Sequence, residues 1–159
     1  MNNLNQSSMP RSPLRNRLHL AIAIFAFLGF ADSAYLTADH YFALPLPCSL
    51  LHGCDVVLTS AYSMVGPIPL AVFGVAFYLL ALFTAIHAYT SAPSRRIDRA
   101  LFGLTVIGFG MSVIFESIQA LIIHAFCQYC ALSAVLATFM FIAGLWLVRK
   151  QSEARQFDT

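Results

Sequence analysis

Four stretches of the chain are almost unbroken in apolar residues: Leu18–Leu36, Pro67–Tyr89, Leu101–Ile123 and 130–148. Each runs for about 18–23 residues, and about 20 suffice to cross a bilayer as a helix. The runs are continuous rather than alternating, which favours helices over half-buried strands. A helix also satisfies its own backbone groups in lipid. The pattern predicts an all-α membrane protein: a bundle of four transmembrane helices, with a short helix on the outer face after the first crossing. Around it stand polar flanks. Residues 1–17 are rich in Asn, Ser and Pro and read as a disordered basic arm, 37–66 as an outer segment, and 149–159 as a tail of similar character.

Composition agrees with this reading. The chain is 59% hydrophobic and 10% charged, against about 25% charged in an average soluble domain. No internal repeat, low-complexity tract or Gly-rich phosphate loop is present, and nothing supports nucleic-acid binding. The net charge of +2 says little; the placement of charge says more. Arg11, Arg15 and Arg17 precede the first run, Arg95, Arg96 and Arg99 lie between the second and third, and Arg149, Lys150 and Arg155 follow the fourth. With four crossings all nine basic residues share one side, which the positive-inside rule makes cytoplasmic. Reading the first run as a cleaved signal peptide, with "ADSA" as the small-residue region, is the competing view. The run is long for that role, and cleavage would still leave the cysteines outside.

The opposite face receives Thr37–Gly66 and the link around His124–Gln128, neither containing Lys or Arg. All four cysteines fall there: Cys48, Cys54, Cys127 and Cys130. Disulfides persist in such an oxidising compartment. Pro45 and Pro47 favour an extended approach to Cys48, and Gly53 permits a turn before Cys54. Asp55 is a candidate N-cap for the short outer helix, whose Val57, Ala61 and Met64 would share one face. Gly66, Pro67 and Pro69 would open the second crossing.

Two cysteines separated by five residues, plus a distant CxxC, suit a two-stage thiol relay. A thiolate must attack a disulfide sulfur for electrons to pass between pairs, so one pair should be mobile and the other fixed. Cys48 and Cys54 lie in a Pro- and Gly-containing segment. Cys127 and Cys130 lie at the start of the fourth helix, where free N–H groups and partial positive charge stabilise a thiolate. Two other readings of the cysteines stand beside this one. Two inert disulfides would make the chain a structural four-helix subunit. Alternatively, Cys48 and Cys54 with His40, His52 and His124 could handle a soft metal ion, although the ligand spacings fit no common zinc module.

"PCSLLHGCDVVLTSAYSMVGPIPLAVFGVAFY" followed by "FCQYCALSAV" resembles the bacterial homologues of vitamin K epoxide reductase, over about Leu18 to Val148. The resemblance is carried by the Cys48/Cys54 pair, Ser60 six residues after Cys54, the "GPIPLAVFG" entry to the second helix, and the late CxxC. The quinone-linked thiol oxidases of the DsbB type also have four helices and two cysteine pairs, but their CxxC lies in the first outer loop. Here it lies in the second. The resemblance implies a quinone-dependent thiol–disulfide oxidoreductase of the bacterial inner membrane, with ubiquinone or menaquinone as electron acceptor. Many bacterial members carry a fused thioredoxin-like domain. This chain ends eleven residues after Val148, so a separate periplasmic, thioredoxin-fold (DsbA-like) carrier is the expected partner.

By the same analogy Cys48 forms the mixed disulfide with the carrier, Cys54 exchanges with Cys127, and Cys130 passes electrons to the quinone. Ser60 matches the family's hydroxyl position and could donate to a thiolate or a quinone oxygen; otherwise it bonds its own backbone. Tyr129 could pack on the quinone or serve as an interfacial tyrosine. Glu116, an ionisable group inside the third crossing, is a candidate for quinone proton chemistry or for pairing with another helix. On a continuous helix it would lie roughly 16 Å below Cys127. Asp32 is expected near the outer interface, solvated. His19 and His87 should face headgroups at the inner boundary, with Trp146 as an interfacial anchor. Gly103, Gly108 and Gly110 could allow close helix approach.

Overall fold

The computed structural model describes residues 13–42, 48, 53–92 and 94–156. Four long helices carry the fold: α1 (Pro13–Phe42), α3 (Leu70–Thr90), α4 (Arg95–Ile118) and α5 (Gln128–Gln156). All four contain spans long and apolar enough to cross a membrane. They run past the apolar stretches at several ends. α1 begins at Pro13, where a proline costs no intrahelical hydrogen bond, and α5 continues through Gln156. Residues 13–17 of the arm and 149–156 of the tail are therefore helical. Residues 1–12 and 157–159 lie outside the described residues, as do Pro45, Pro47 and His52.

Each helix turns a narrow stripe inward. On α1 it comprises His19, Ile22, Ala26, Gly29, Ser33 and Leu36; on α3, Tyr78, Ala81, Ala85 and Ala88. The alternating spacing of three and four residues is that of a left-handed bundle seam. α1 packs closely on α3 and α5, and α4 on α5, whereas α3 and α4 touch lightly. Small residues set the close approaches: Gly29 lies under the Tyr78 ring, Gly74 against Ser33, and Gly108 against Phe77. Gly103 and Gly110 face open space, so of the three glycines picked out for packing only Gly108 is at a contact. Large apolar side chains such as Phe27, Phe83 and Ile107 point outward, as expected of surfaces solvated by lipid.

At the basic end a polar cluster ties helices together. His19 is fully buried, and its Nε2 lies 2.8 Å from Asp98 Oδ1. Arg15 Nε lies 3.5 Å from Asp98 Oδ2. This corrects the expectation that His19 faces headgroups: burying Asp98 among apolar helices requires a partner, and His19 supplies it. His87 is exposed on the last turn of α3, beside Ser91.

The cap over the other end is more broken than a single amphipathic helix. α2 (Cys54–Leu58) starts at Cys54 after an N-cap at Gly53, so Asp55 sits in its first turn and not at the cap. A 3-10 turn follows at Ala61–Ser63, then a two-stranded hairpin of β1 (Met64–Val65) and β2 (Ile68–Pro69). Gly66, at φ 62°, supplies the positive φ of the hairpin turn. The prolines thus belong to the hairpin, with Pro69 as N-cap of α3. Val57 is buried, while Ala61 and Met64 fall in other elements and no longer share its face.

Candidate active site

Cys48 and Cys54 form a disulfide, with Cα atoms 6.3 Å apart. Cys127 and Cys130 are free thiols. Cys54 and Cys127 are both fully buried and belong, with Val57, to one small cluster beneath the cap; Cys48, Tyr129 and Cys130 pack around it. The two pairs, distant in sequence, therefore meet.

Gly53 makes that meeting possible. A Cβ on Gly53 would lie 2.8 Å from both the amide nitrogen and the carbonyl oxygen of Phe126. These are backbone atoms and cannot swing away. The absent side chain lets the strand of chain entering Cys54 lie directly against the one entering Cys127.

The second pair is positioned by the end of α4. After Ile118 the helix widens into a π-helical turn, Gln119–Ile123, and stops at His124, in the left-handed region with φ 55°. Such turns recur at functional sites. The widening leaves the Gln119 side chain, buried, to accept a hydrogen bond from the Cys127 amide at 2.8 Å, while its carbonyl accepts from the Ala125 amide at 3.3 Å. Because α4 ends here, the 16 Å separation drawn from a continuous helix does not apply. In sequence Gln119 is a polar residue three positions after Glu116, and nothing there marks its bond to Cys127.

Cys127 lies just before α5, and its carbonyl accepts the Ala131 amide in the first turn of hydrogen bonds. The Cys127 thiol is pushed down to about 7, chiefly by a hydrogen bond from the Cys130 thiol; burial opposes this, and the amides of Cys130 and Tyr129 assist. A thiolate at Cys127 is thus held by its own partner and by the start of α5.

Two cavities adjoin the pair. The outer, about 90 Å³, is bordered by Asp39, His40, Ser60 and Gln119 among others. The inner, about 310 Å³, lies along the light α3–α4 seam between apolar walls, with Ser33, Tyr78, Ser112, Glu116 and Ser133 as its polar groups. Cys130 is in the wall of both. Ser60 donates its hydroxyl to the Val57 carbonyl at 2.7 Å at the edge of the outer cavity. Tyr129 packs on Tyr35, with ring centroids 5.6 Å apart, and lines neither cavity. Glu116 lines the inner cavity together with Cys130.

Asp32 departs from expectation. It is 8% exposed rather than solvated, and its Oδ2 is buried without a hydrogen-bond partner. It adjoins the inward stripe of α1, and helix packing overrides its polarity. Among the described residues no group of three or more His, Cys, Asp or Glu side chains is arranged to hold a metal ion.

Compared with known families, residues 20–145 match the model described as the vitamin K epoxide reductase family.

Proposed function

Because the chain belongs to the vitamin K epoxide reductase family, and so is a multi-pass membrane disulfide oxidoreductase, we propose that it oxidises a periplasmic thioredoxin-fold carrier and delivers the electrons to a membrane quinone. The observation that carries this reading is the position of Cys130: its thiol hydrogen-bonded to the Cys127 sulfur, and in the wall of a lipid-side cavity. In this scheme the carrier thiolate attacks the Cys48–Cys54 disulfide at Cys48, the half-buried and more accessible sulfur. Cys54, released, exchanges with Cys127 within their shared cluster. The sulfur reached last is Cys130.

The inner cavity suits a quinone. Its apolar walls match a ring and the start of a prenyl tail, and its few hydroxyls and carboxyl can address two oxygens. Tyr78, Ser112, Glu116 and Ser133 would hold the ring beside Cys130. A bound quinone supplies a two-electron, two-proton acceptor. The loose α3–α4 seam, with Phe73 and Met111 exposed at its rim, gives a lateral entrance from lipid. Ser60 borders the outer cavity and is proposed to steady the sulfur chemistry there. Tyr129 braces the CxxC turn against α1 through Tyr35. The basic ends of all four helices are assigned to the cytoplasm and the cysteines to the periplasm of a bacterial inner membrane.

The test is quinol formation by purified protein given a reduced thioredoxin-fold donor and either ubiquinone or menaquinone, for wild type and each cysteine variant. Cys130→Ala should abolish quinone reduction. Carrier oxidation continuing at the wild-type rate in Cys130→Ala would overturn the order of transfer.

A further inference from the structure

Reducing a quinone takes two electrons and two protons. A reduced pair held as Cys127 thiolate and Cys130 thiol carries one proton on sulfur. The other must be kept nearby, away from water, by a group that can hold and release it.

Asp32 is placed to do so. It is more than nine-tenths buried, with Oδ2 unpartnered. It lies within electrostatic reach of both Cys127 and Cys130, and of the Tyr78 hydroxyl. The titratable groups whose charge reaches it are Tyr78 from α3, Cys130 from α5, and Cys127 from the turn before α5. Glu116 of α4 also reaches Cys130, and Tyr35 and Asp39 stand further along α1. None of these supplies a positive charge; of the histidines at this end, His40 stands about two turns beyond Asp32 on α1 and borders the outer cavity. The arginines and lysine among the described residues lie at the other end of the bundle. A buried carboxylate with no cation beside it is costly, and a second anion on Cys127 makes it more so. Thiolate and carboxylate therefore compete for one negative charge.

We propose that Asp32 carries the second proton of the Cys127–Cys130 couple, an assignment that rests on the quinone-linked reading above. In the reduced site, Cys127 is a thiolate, Cys130 a thiol and Asp32 a neutral carboxyl. In the oxidised site, Cys127 and Cys130 share a disulfide and Asp32 is a carboxylate. Going from the first to the second, the S–H bond of Cys130 and the O–H bond of Asp32 break and the S–S bond forms. Two electrons and two protons leave for the acceptor. One negative charge remains throughout, moved from sulfur to carboxylate oxygen. When the outer dithiol reduces the inner disulfide, its two protons reload Cys130 and Asp32, and the charge returns to Cys127. Asp32 does not line the inner cavity, but Tyr78 does. The Tyr78 hydroxyl donates to the Ser133 carbonyl at 3.0 Å and contacts Ser133 Oγ at 2.8 Å. It is the relay through which the proton enters the cavity.

The test is the pH dependence of the Cys127–Cys130 reduction potential, measured on the full chain in lipid discs against a thiol–disulfide buffer, with no quinone added. Above a pH of about 7, where Cys127 is ionised, wild type should keep a slope of two protons per two electrons. In Asp32→Asn that slope should halve, and Asp32→Glu should restore it. Reduced-minus-oxidised infrared spectra should show a protonated carboxyl band that Asp32→Asn loses and Glu116→Gln keeps. With quinone and donor present, Asp32→Asn should turn over about a hundredfold more slowly, the low end of what a positioned proton-transfer group contributes. Equal slopes in wild type and Asp32→Asn, or a carboxyl band that survives the substitution, would overturn the assignment. Slope and band need no quinone, so a wild-type protein that shows both yet leaves quinone unreduced would refute the quinone reading instead.

Discussion

The side-chain oxygen of Gln119 accepts the amide hydrogen of Cys127 at 2.8 Å, joining the π-helical turn after α4 to the residue just before α5. The bond is buried, and together with the bond from the Ala131 amide to the Cys127 carbonyl it fixes the backbone at the reactive cysteine. Gln119→Leu removes the acceptor and leaves a buried N–H unsatisfied, at a cost of about 1–3 kcal/mol. Thermal unfolding of the purified protein should show that loss. Trapping with an alkylating agent should show less Cys54–Cys127 mixed disulfide, while the Cys48–Cys54 bond still forms.

Gly53→Ala would set a methyl group 2.8 Å from two backbone atoms of Phe126. None of the four long helices is touched, so the bundle should keep its stability. The cap would be displaced from the 125–126 link, and Cys54 with it. A displacement of about 1 Å can slow a reaction by about a hundredfold. We expect a loss of that order in the exchange rate between the two pairs, read by rapid acid quench and mass analysis.

The reactivity of Cys127 should follow pH through about 7 in the reduced protein. The largest cause of the lowered value is the Cys130 thiol, so Cys130→Ala should move the alkylation midpoint of Cys127 upward, towards an ordinary thiol. The same shift governs stability. A thiol depressed on folding adds stability that is fully present above its unfolded value of about 8.5 and is lost as pH falls through about 7. Denaturation of the reduced protein should therefore become harder across that interval as pH rises, and the dependence should vanish in Cys127→Ala.

At the basic end, His19→Leu would take from the Asp98 carboxylate, whose side chain is 2% exposed, its 2.8 Å contact to His19 Nε2 and leave the longer 3.5 Å contact to Arg15. Breaking a buried pair in this way costs about 3–5 kcal/mol. The double variant His19→Leu with Asp98→Leu should regain much of that stability, because the buried carboxylate is removed together with its closest partner. A thermal-shift series on the two single variants and the double variant checks it.

The crossings were legible because lipid demands long apolar runs, and the shared face of the cysteines because basic residues mark the opposite one. Which side of each helix faces inward was harder to read. In an aqueous protein the inner face is the apolar one. Here Phe27 on the outside is as apolar as Ile22 within, so hydropathy does not separate them. The small and polar residues of α1 do carry the signal: His19, Gly29 and Ser33 repeat at helical spacing beside Ile22, Ala26 and Leu36. Read as a stripe, they would have placed His19 inside and Asp32 at its border. The π-helical turn had no comparable mark. "ESIQALII" suits an ordinary helix, and the extra residue in the turn is set by where Cys127 has to be held.

Cys130 borders both cavities, one beneath the cap and one open towards lipid. Leu70, Ala71 and Phe115 also stand in both walls, and on the proposed reading the Cys130 sulfur is the redox group of that partition. Dissolved oxidants outside and the reduced pool inside the bilayer can trade electrons here only through that atom, one pair at a time. The bundle then works as an insulator with one contact, and an intruder such as a metal ion or peroxide has to disable that contact before it can cause a leak.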